Sequence, residues 1–431
     1  MSSAAETGQA ATLPEALAEP VVPVRGTWTT LLFLANLGLW LGIYAPIQVL
    51  LPKQAELLAA GHKEAVFGLV TGIGAAVSVI ANPTIGLLSD RTTSRFGRRH
   101  PWTVAGALLG AVGLLLLSQA PNITVMTIGW CLVQAGLNGM LASLTSAVPD
   151  RVPVSQRAKV GGFIGISQML GTVLGALVVT VVVTSLPGGY AACAVLVVLV
   201  ALAFVLFTRD APLPRRVRSR ARGAAFRPGR RVREVVANLW ISPREHPDFA
   251  WAWGCHFMIN LGNAFGTLYL LFFLKDAVHY PDPDTGLLIM MALYGAALTV
   301  GALGVGWLSD RSGRRKPYVL LSSAVMALAA VLLVVWPTWP AALVAAPLLG
   351  VGFGAYWAVA LALLTQVLPA AADRAKDLGV VNIANSLPQV IAPLLTTGVL
   401  AYLGGYRGLF AVSALATLAA GALVTKVRSV S

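Results

Sequence analysis

Long apolar runs separated by short polar segments set the pattern of this chain. Twelve of them are long enough to cross a bilayer, near 28–52, 66–89, 102–120, 124–148, 160–184, 189–208, 250–274, 285–309, 317–336, 341–368, 378–403 and 406–425. Crossing about 30 Å of hydrocarbon takes roughly 20 helical residues. Backbone polar groups in lipid need internal partners, so runs of this length are helices. Several are rich in Gly, as from Gly161 to Gly175, which lets neighbouring helices approach closely. The pattern predicts an all-α polytopic membrane protein with twelve transmembrane helices.

Composition agrees: 57% of the 431 residues are hydrophobic and 11% are charged, against about 25% charged in soluble domains. A soluble enzyme, a secreted disulfide scaffold and a disordered protein are excluded. Cys131, Cys193 and Cys255 are scattered through apolar runs and offer neither a disulfide framework nor metal-ligand spacing. The net charge of +14 suggests nucleic acid until the charges are placed. Of the 31 Lys and Arg, all but Lys53, Lys63, Lys275 and Arg407 lie in the tails or in loops after even-numbered spans. The positive-inside rule then makes those loops and both termini cytoplasmic. The expected location is the plasma (inner) membrane, with the lipid bilayer as partner and no nucleic acid. Residues 1–27 read as a disordered cytoplasmic tail, 28–208 and 250–425 as six-helix bundles, and 426–431 as a second tail. Residues 209–249 form an Arg-rich cytoplasmic linker. Val232, Val235, Val236, Leu239 and Trp240 recur there at helical spacing, which fits either an amphipathic helix on the membrane surface or a solvated linker.

The halves repeat one another. After the second span the chain reads Ser89-Asp90-Arg91, then Gly97-Arg98-Arg99-His100-Pro101-Trp102. After the eighth it reads Ser309-Asp310-Arg311-Ser312-Gly313-Arg314-Arg315-Lys316-Pro317-Tyr318. Arg-Ala-Lys recurs after spans four and ten, at Arg157 and Arg374. Matched loops on matched spans signal a duplication. These residues resemble the loop signature of the major facilitator superfamily. The longer first copy, from Ser89 to Trp102, resembles that of sucrose carriers and the glycoside–pentoside–hexuronide group. The resemblance implies two pseudo-symmetric six-helix halves around a midplane site lined by spans 1, 4, 7 and 10, working by alternating access.

Asp90 and Asp310 end their spans among Arg91, Arg98, Arg99, Arg311, Arg314 and Arg315. Carboxylate–guanidinium bridges across the halves could hold the cytoplasmic side closed, with Arg157 and Arg374 as further members. The alternative is that these arginines set orientation and touch lipid phosphate.

Polar groups at mid-span need partners, and they form stripes. Asn36, Trp40, Tyr44 and Gln48 share one face of the first span, and Gln134 and Asn138 one face of the fourth. His256, Asn260 and Asn263 mark the seventh, Tyr356 and Trp357 the tenth, Asn382, Asn385 and Gln389 the eleventh, with Gln168 and Tyr294 on the fifth and eighth. All 17 carboxylates lie in loops, tails or span ends. Amides and flat aromatic faces without charge suit a neutral polyhydroxylated ligand such as a sugar or glycoside. His256 is the candidate to carry a coupling proton, or else a hydrogen bond to substrate. Ion-coupled members of the resembled group generally use membrane-embedded carboxylates, which this chain lacks. No phosphate-binding Gly loop, paired His ligands or nucleophile–base motif occurs, so no cofactor, metal or catalytic residue is expected. The chemistry predicts a secondary active or facilitative transporter of a neutral sugar, with or without a coupled proton. The alternatives are an efflux carrier for drug-like molecules and a non-transporting receptor or scaffold.

Overall fold

The computed structural model describes residues 20–212, 244–367 and 374–428. The tail before residue 20 and the linker segment 213–243, with its expected amphipathic helix, lie outside the described residues.

Twelve helices long and apolar enough to span a membrane are present. In the first half these are α1 (Gly26–Leu58), α2 (Ala60–Asp90), α3 (His100–Ser118), α4 (Ile123–Arg151), α5 (Val154–Val182) and α6 (Leu186–Phe207). In the second they are α7 (Pro247–Asp276), α8 (Pro283–Ser312), α9 (Lys316–Val335), α10 (Trp339–Gln366), α11 (Arg374–Tyr402) and α12 (Tyr406–Thr425). Helix ends follow local chemistry. Asn122 accepts from Val125 N–H to start α4, and Asp282 accepts from Thr285 N–H to start α8. At α8, Gly313 adopts the left-handed conformation (φ 65°) that ends the helix.

The duplication read from the loops recurs in the packing. Within the first half α1 packs on α5 and α6, α2 on α4, and α3 on α4 and α6. The second half repeats each contact six helices on, as α7 with α11 and α12, α8 with α10, and α9 with α10 and α12. The halves meet along α2 against α11 and α5 against α8.

Two cavity-lining helices are irregular at matching positions. In α1 the turn Pro46–Leu50 is π-helical, with Leu51 N–H bonded to Pro46 O. In α7 the helix breaks between Thr267 and Leu270. The wide turn in α1 shifts the register around Gln48, so the α1 stripe is not the straight i, i+4 row its spacing suggests.

The seam between halves is closed at the end that carries the odd-numbered loops. Phe67 of α2 meets Tyr269 and Phe272 of α7 edge-to-face, at centroid distances of 5.1 and 5.7 Å. Gly68 permits the closest approach: a Cβ there would lie 2.6 Å from Pro393 O of α11. Toward the even-loop end the packing opens. A Cβ on Gly161, Gly162 or Gly165 of α5, or on Gly304 of α8, would meet nothing within 4 Å. Within the first half, the same ends of α1 and α5 flank a cavity of about 340 Å³ lined by Thr29, Thr30, Phe33, Gln156, Lys159 and Phe163, among others.

Candidate functional site

The predicted polar stripes converge into clusters facing the seam. On the second half His256 is buried at the centre. Its Nδ1 lies 2.5 Å from Tyr356 Oη, its Nε2 bonds to Asn385 Oδ1, and its ring meets Trp357 edge-on at 5.7 Å. One neutral tautomer satisfies both contacts: Nε2–H donates to Asn385, and Tyr356 O–H donates to Nδ1. Asn260 donates to His256 O at 2.8 Å and to Asn385 Oδ1 at 3.5 Å. One turn further, Tyr294 Oη donates to Asn263 Oδ1 at 3.0 Å.

On the first half Gln168 donates to Tyr44 Oη at 3.3 Å, and the Tyr44 ring stacks on Trp40 at 5.7 Å. Met169, next to Gln168, touches Thr299 and Gly295 of α8. That contact sets the Tyr44–Gln168 pair beside the Tyr294–Asn263 pair across the seam. Two buried polar atoms of the α1 stripe, Trp40 Nε1 and Gln48 Oε1, have no hydrogen-bond partner. Phe33, two turns from Trp40, lines the α1–α5 cavity, so one face of α1 runs from that cavity to the stacked pair.

Other predicted residues are placed differently. Asn36 is buried and returns its amide to Leu32 O, a local helix contact. Gln134 and Asn138 bond to each other on α4 at 2.8 Å. Gln389 is exposed. The Asn382 side chain lies outside the described residues.

The expected cross-half bridge from Asp90 is not made in this conformation. Asp90 pairs with Arg99 of its own half at 2.6 Å. Asp150, at the end of α4, takes Arg98 at 2.6 Å and Arg99 Nε at 2.7 Å. Burial works against the Arg99 charge, but the bonds and attraction from Asp150 and Asp90 outweigh it and hold the guanidinium above its ordinary value. The half thus neutralises its own loop, because Asp150 and Asp210 sit beside it. Arg157 bonds to Val152 O and Pro149 O. Arg91 and Arg314 are exposed, and Arg311 lies over the Trp307 ring. The side chains of Asp310 and Arg374 lie outside the described residues.

Among the described side chains, the ion pairs that join the halves are at the odd-loop end. Lys53 of α1 pairs with Asp284 of α8. Lys63 of α2 pairs with Asp276 of α7 at 2.6 Å, and Lys275 with Glu56 at 2.6 Å. The Tyr406 hydroxyl faces Glu64 at 3.0 Å and Asp276 at 2.9 Å. Sequence reasoning missed this latch, although Lys53, Lys63 and Lys275 are three of the four exceptions to the even-loop charge bias.

Comparison with known proteins follows the same lines. A model of the Major Facilitator Superfamily matches residues 28–304 and again 252–430. The General alpha-glucoside permease of Schizosaccharomyces pombe is 29% identical over 141 residues, 28% of this chain and 26% of that protein. The Lactose permease of Lactobacillus delbrueckii subsp. bulgaricus is 27% identical over 139 residues, 28% of this chain and 22% of that protein. The matched segments thus span about a quarter of the length of these curated relatives. In overall fold the chain is similar to the nucleoside transporter NupG, with a TM-score of 0.72 at 14% identity over 93% of this chain and 100% of that one. A POT peptide transporter in complex with sulfate gives a TM-score of 0.72 at 15% identity over 94% and 96% of the two chains.

Proposed function

This chain belongs to the Major Facilitator Superfamily, and on that premise we propose that it carries a neutral sugar or glycoside across the membrane by alternating access. One observation carries the substrate class. The site between the halves is built from amides, phenols, indoles and one imidazole, and Trp40 Nε1 and Gln48 Oε1 are left as a buried donor and a buried acceptor without partners. A hydroxyl is both donor and acceptor, so a polyol can satisfy the two atoms that the protein leaves unpaired. The stacked Trp40–Tyr44 pair offers a flat apolar face for sugar C–H groups. The names of the relatives, an alpha-glucoside permease and a lactose permease, favour the same class.

The positive-inside bias supports an orientation with the even-loop end and both termini in the cytoplasm, and we infer the plasma (inner) membrane as the location. The conformation is then inward-open: latched outside by Lys53, Lys63 and Lys275, and loosely packed inside, where Gly161, Gly162 and Gly165 of α5 and Gly304 of α8 have open space beside them. Outward opening must break these pairs. His256 serves as a neutral anchor rather than the proton carrier, since both of its nitrogens are engaged as one neutral tautomer allows. The test is uptake of a panel of labelled disaccharides into proteoliposomes, run beside a panel of hydrophobic cations. Saturable disaccharide uptake is expected. Saturable cation transport with no sugar flux would overturn the proposal in favour of a drug-like substrate.

A further inference from the structure

We infer that the cavity between the inner ends of α1 and α5 holds the headgroup of an anionic phospholipid. Its volume of about 340 Å³ falls within the roughly 300–1,000 Å³ of sites for small molecules. Two helices build it in the same way. Thr29, Thr30 and Phe33 share one face of α1, and Gln156, Lys159 and Phe163 share one face of α5. On each helix the polar groups stand nearest the even-loop end and the phenylalanine lies one turn deeper. The cavity therefore has a polar mouth and an aromatic floor, where the Phe33 and Phe163 rings meet edge-to-face at 6.5 Å.

The mouth has hydrogen-bond donors to spare. Gln156 Oε1 accepts from the Val24 backbone N–H at 2.9 Å, which fixes the amide and leaves its NH₂ group for another partner. Thr71, Thr103, Thr127, Thr172 and Thr180 each return the hydroxyl to the carbonyl one turn back. Thr29 and Thr30 make no such bond, and Lys159 makes no ion pair, among the described residues. Arg157 is turned away onto Val152 O and Pro149 O, so Lys159 is the cation of the cavity. No carboxylate lines it. An ammonium, an amide and two hydroxyls around an acid-free space match the unesterified oxygens of a phosphate.

The apolar surroundings select a lipid over a soluble phosphate. From Phe163 an exposed apolar stripe continues along α5 through Ile166 and Leu174. At 3.6 residues per turn these three stand roughly 120–160° around the helix from Gln168. Gln168 faces Tyr44 at the seam, so the stripe looks out of the bundle to the hydrocarbon. A headgroup in the polar mouth thus lays its acyl chain along Phe163, Ile166 and Leu174, in the polar-then-apolar order of a lipid in the nearer leaflet. A soluble phosphate ester would leave the stripe unused. The single uncompensated cation favours a lipid of net negative charge over a zwitterionic one.

The test reads binding rather than flux, so it stands apart from the identity of the transported substrate. It uses the purified full-length chain in detergent, with phosphatidylglycerol, phosphatidylcholine, glucose 6-phosphate and inorganic phosphate as probes. Retention is read by native mass spectrometry and thermal stability by a melting scan. The wild type should retain phosphatidylglycerol in preference to phosphatidylcholine. Lys159→Gln should weaken phosphatidylglycerol binding about fivefold, whereas Lys316→Gln, which removes the same charge from the other half, should leave it unchanged. Thr29→Val/Thr30→Val keeps the shape, removes both hydroxyls and should weaken binding about tenfold. Equal retention by folded Lys159→Gln and wild type, or an equal loss in Lys316→Gln, overturns the inference. Stabilisation by glucose 6-phosphate or inorganic phosphate matching that by phosphatidylglycerol overturns the assignment to a lipid.

Discussion

Replacing Lys63 by Gln should unlatch the outer side. Lys63 Nζ lies 2.6 Å from Asp276 Oδ1 and 3.8 Å from Glu56 Oε1, and its side chain is 11% exposed against 29% for each acid. Fully exposed pairs contribute about 0.2–1 kcal/mol, and breaking a buried one costs about 3–5 kcal/mol. A pair of this intermediate burial contributes about 2 kcal/mol, or about 30-fold in the ratio of closed to open outer ends. Repulsion acts in the same direction. The Tyr406 hydroxyl has one proton but faces both Glu64 and Asp276, so without Lys63 the two carboxylates oppose each other across the seam. An outward-open population of about 1% would rise to about a quarter. Spin labels at Leu57→Cys and His279→Cys, exposed positions on opposite halves, report this as a second, longer distance once Cys131, Cys193 and Cys255 are replaced. An unchanged distance distribution in folded Lys63→Gln protein would refute the latch.

Gly68→Val should also favour outer opening, because its Cβ would stand 2.6 Å from Pro393 O; the same spin-label pair measures it. Asp150→Asn leaves Arg98 and Arg99, only 8% and 4% exposed, without their shared acid and should cost about 3 kcal/mol, seen as a lower melting temperature. Gln48→Leu removes an unpaired acceptor, so it should weaken sugar binding about tenfold while leaving thermal stability unchanged or higher. Equal binding by this variant would show that Gln48 does not touch substrate. His256→Gln should lower apparent substrate affinity without moving the pH profile of uptake, whereas a shifted profile would identify His256 as the proton carrier.

The spans, their number and the duplication were legible because each rests on a property that tertiary contacts do not override. Apolar runs must be helical in lipid, and matched loops survive in sequence as Gly-Arg-Arg. Residue partners were legible only where they are local or where chemistry leaves one choice. Tyr356, Asn385 and His256 could be assigned to one cavity by their spans, but not as a bonded trio. Asn36 shows the limit from the other side: its spacing places it on the Trp40 stripe, but does not reveal that one of its N–H groups is held by the backbone carbonyl of Leu32 one turn back. The π turn at Pro46–Leu50 is invisible to a 3.6-residue period. The partner of Asp90 was illegible for a different reason. Proximity to Arg in sequence does not say which half supplies the partner, and Asp150 lies across the packed face of α4, not in the loop.

The positions of the charges constrain how such a carrier can switch. A neutral substrate can shift the conformational equilibrium only by its differential affinity for the two states, and couplings of this kind typically amount to about 1–3 kcal/mol. A latch much stronger than that would lock the protein shut. The outer pairs match this scale. Lys53–Asp284 is 29% and 31% exposed and Lys275–Glu56 is 49% and 29% exposed, so each is solvent-screened and contributes at most about 1 kcal/mol. Only Lys63–Asp276 is substantially buried. The buried, strong pairs, those of Arg98 and Arg99 with Asp150, lie within one half, where rocking of the bundles leaves them intact. In the proposed carrier, weak ionic contacts across the seam and strong ones inside each half would let a few hydrogen bonds to substrate hydroxyls compete with the latch.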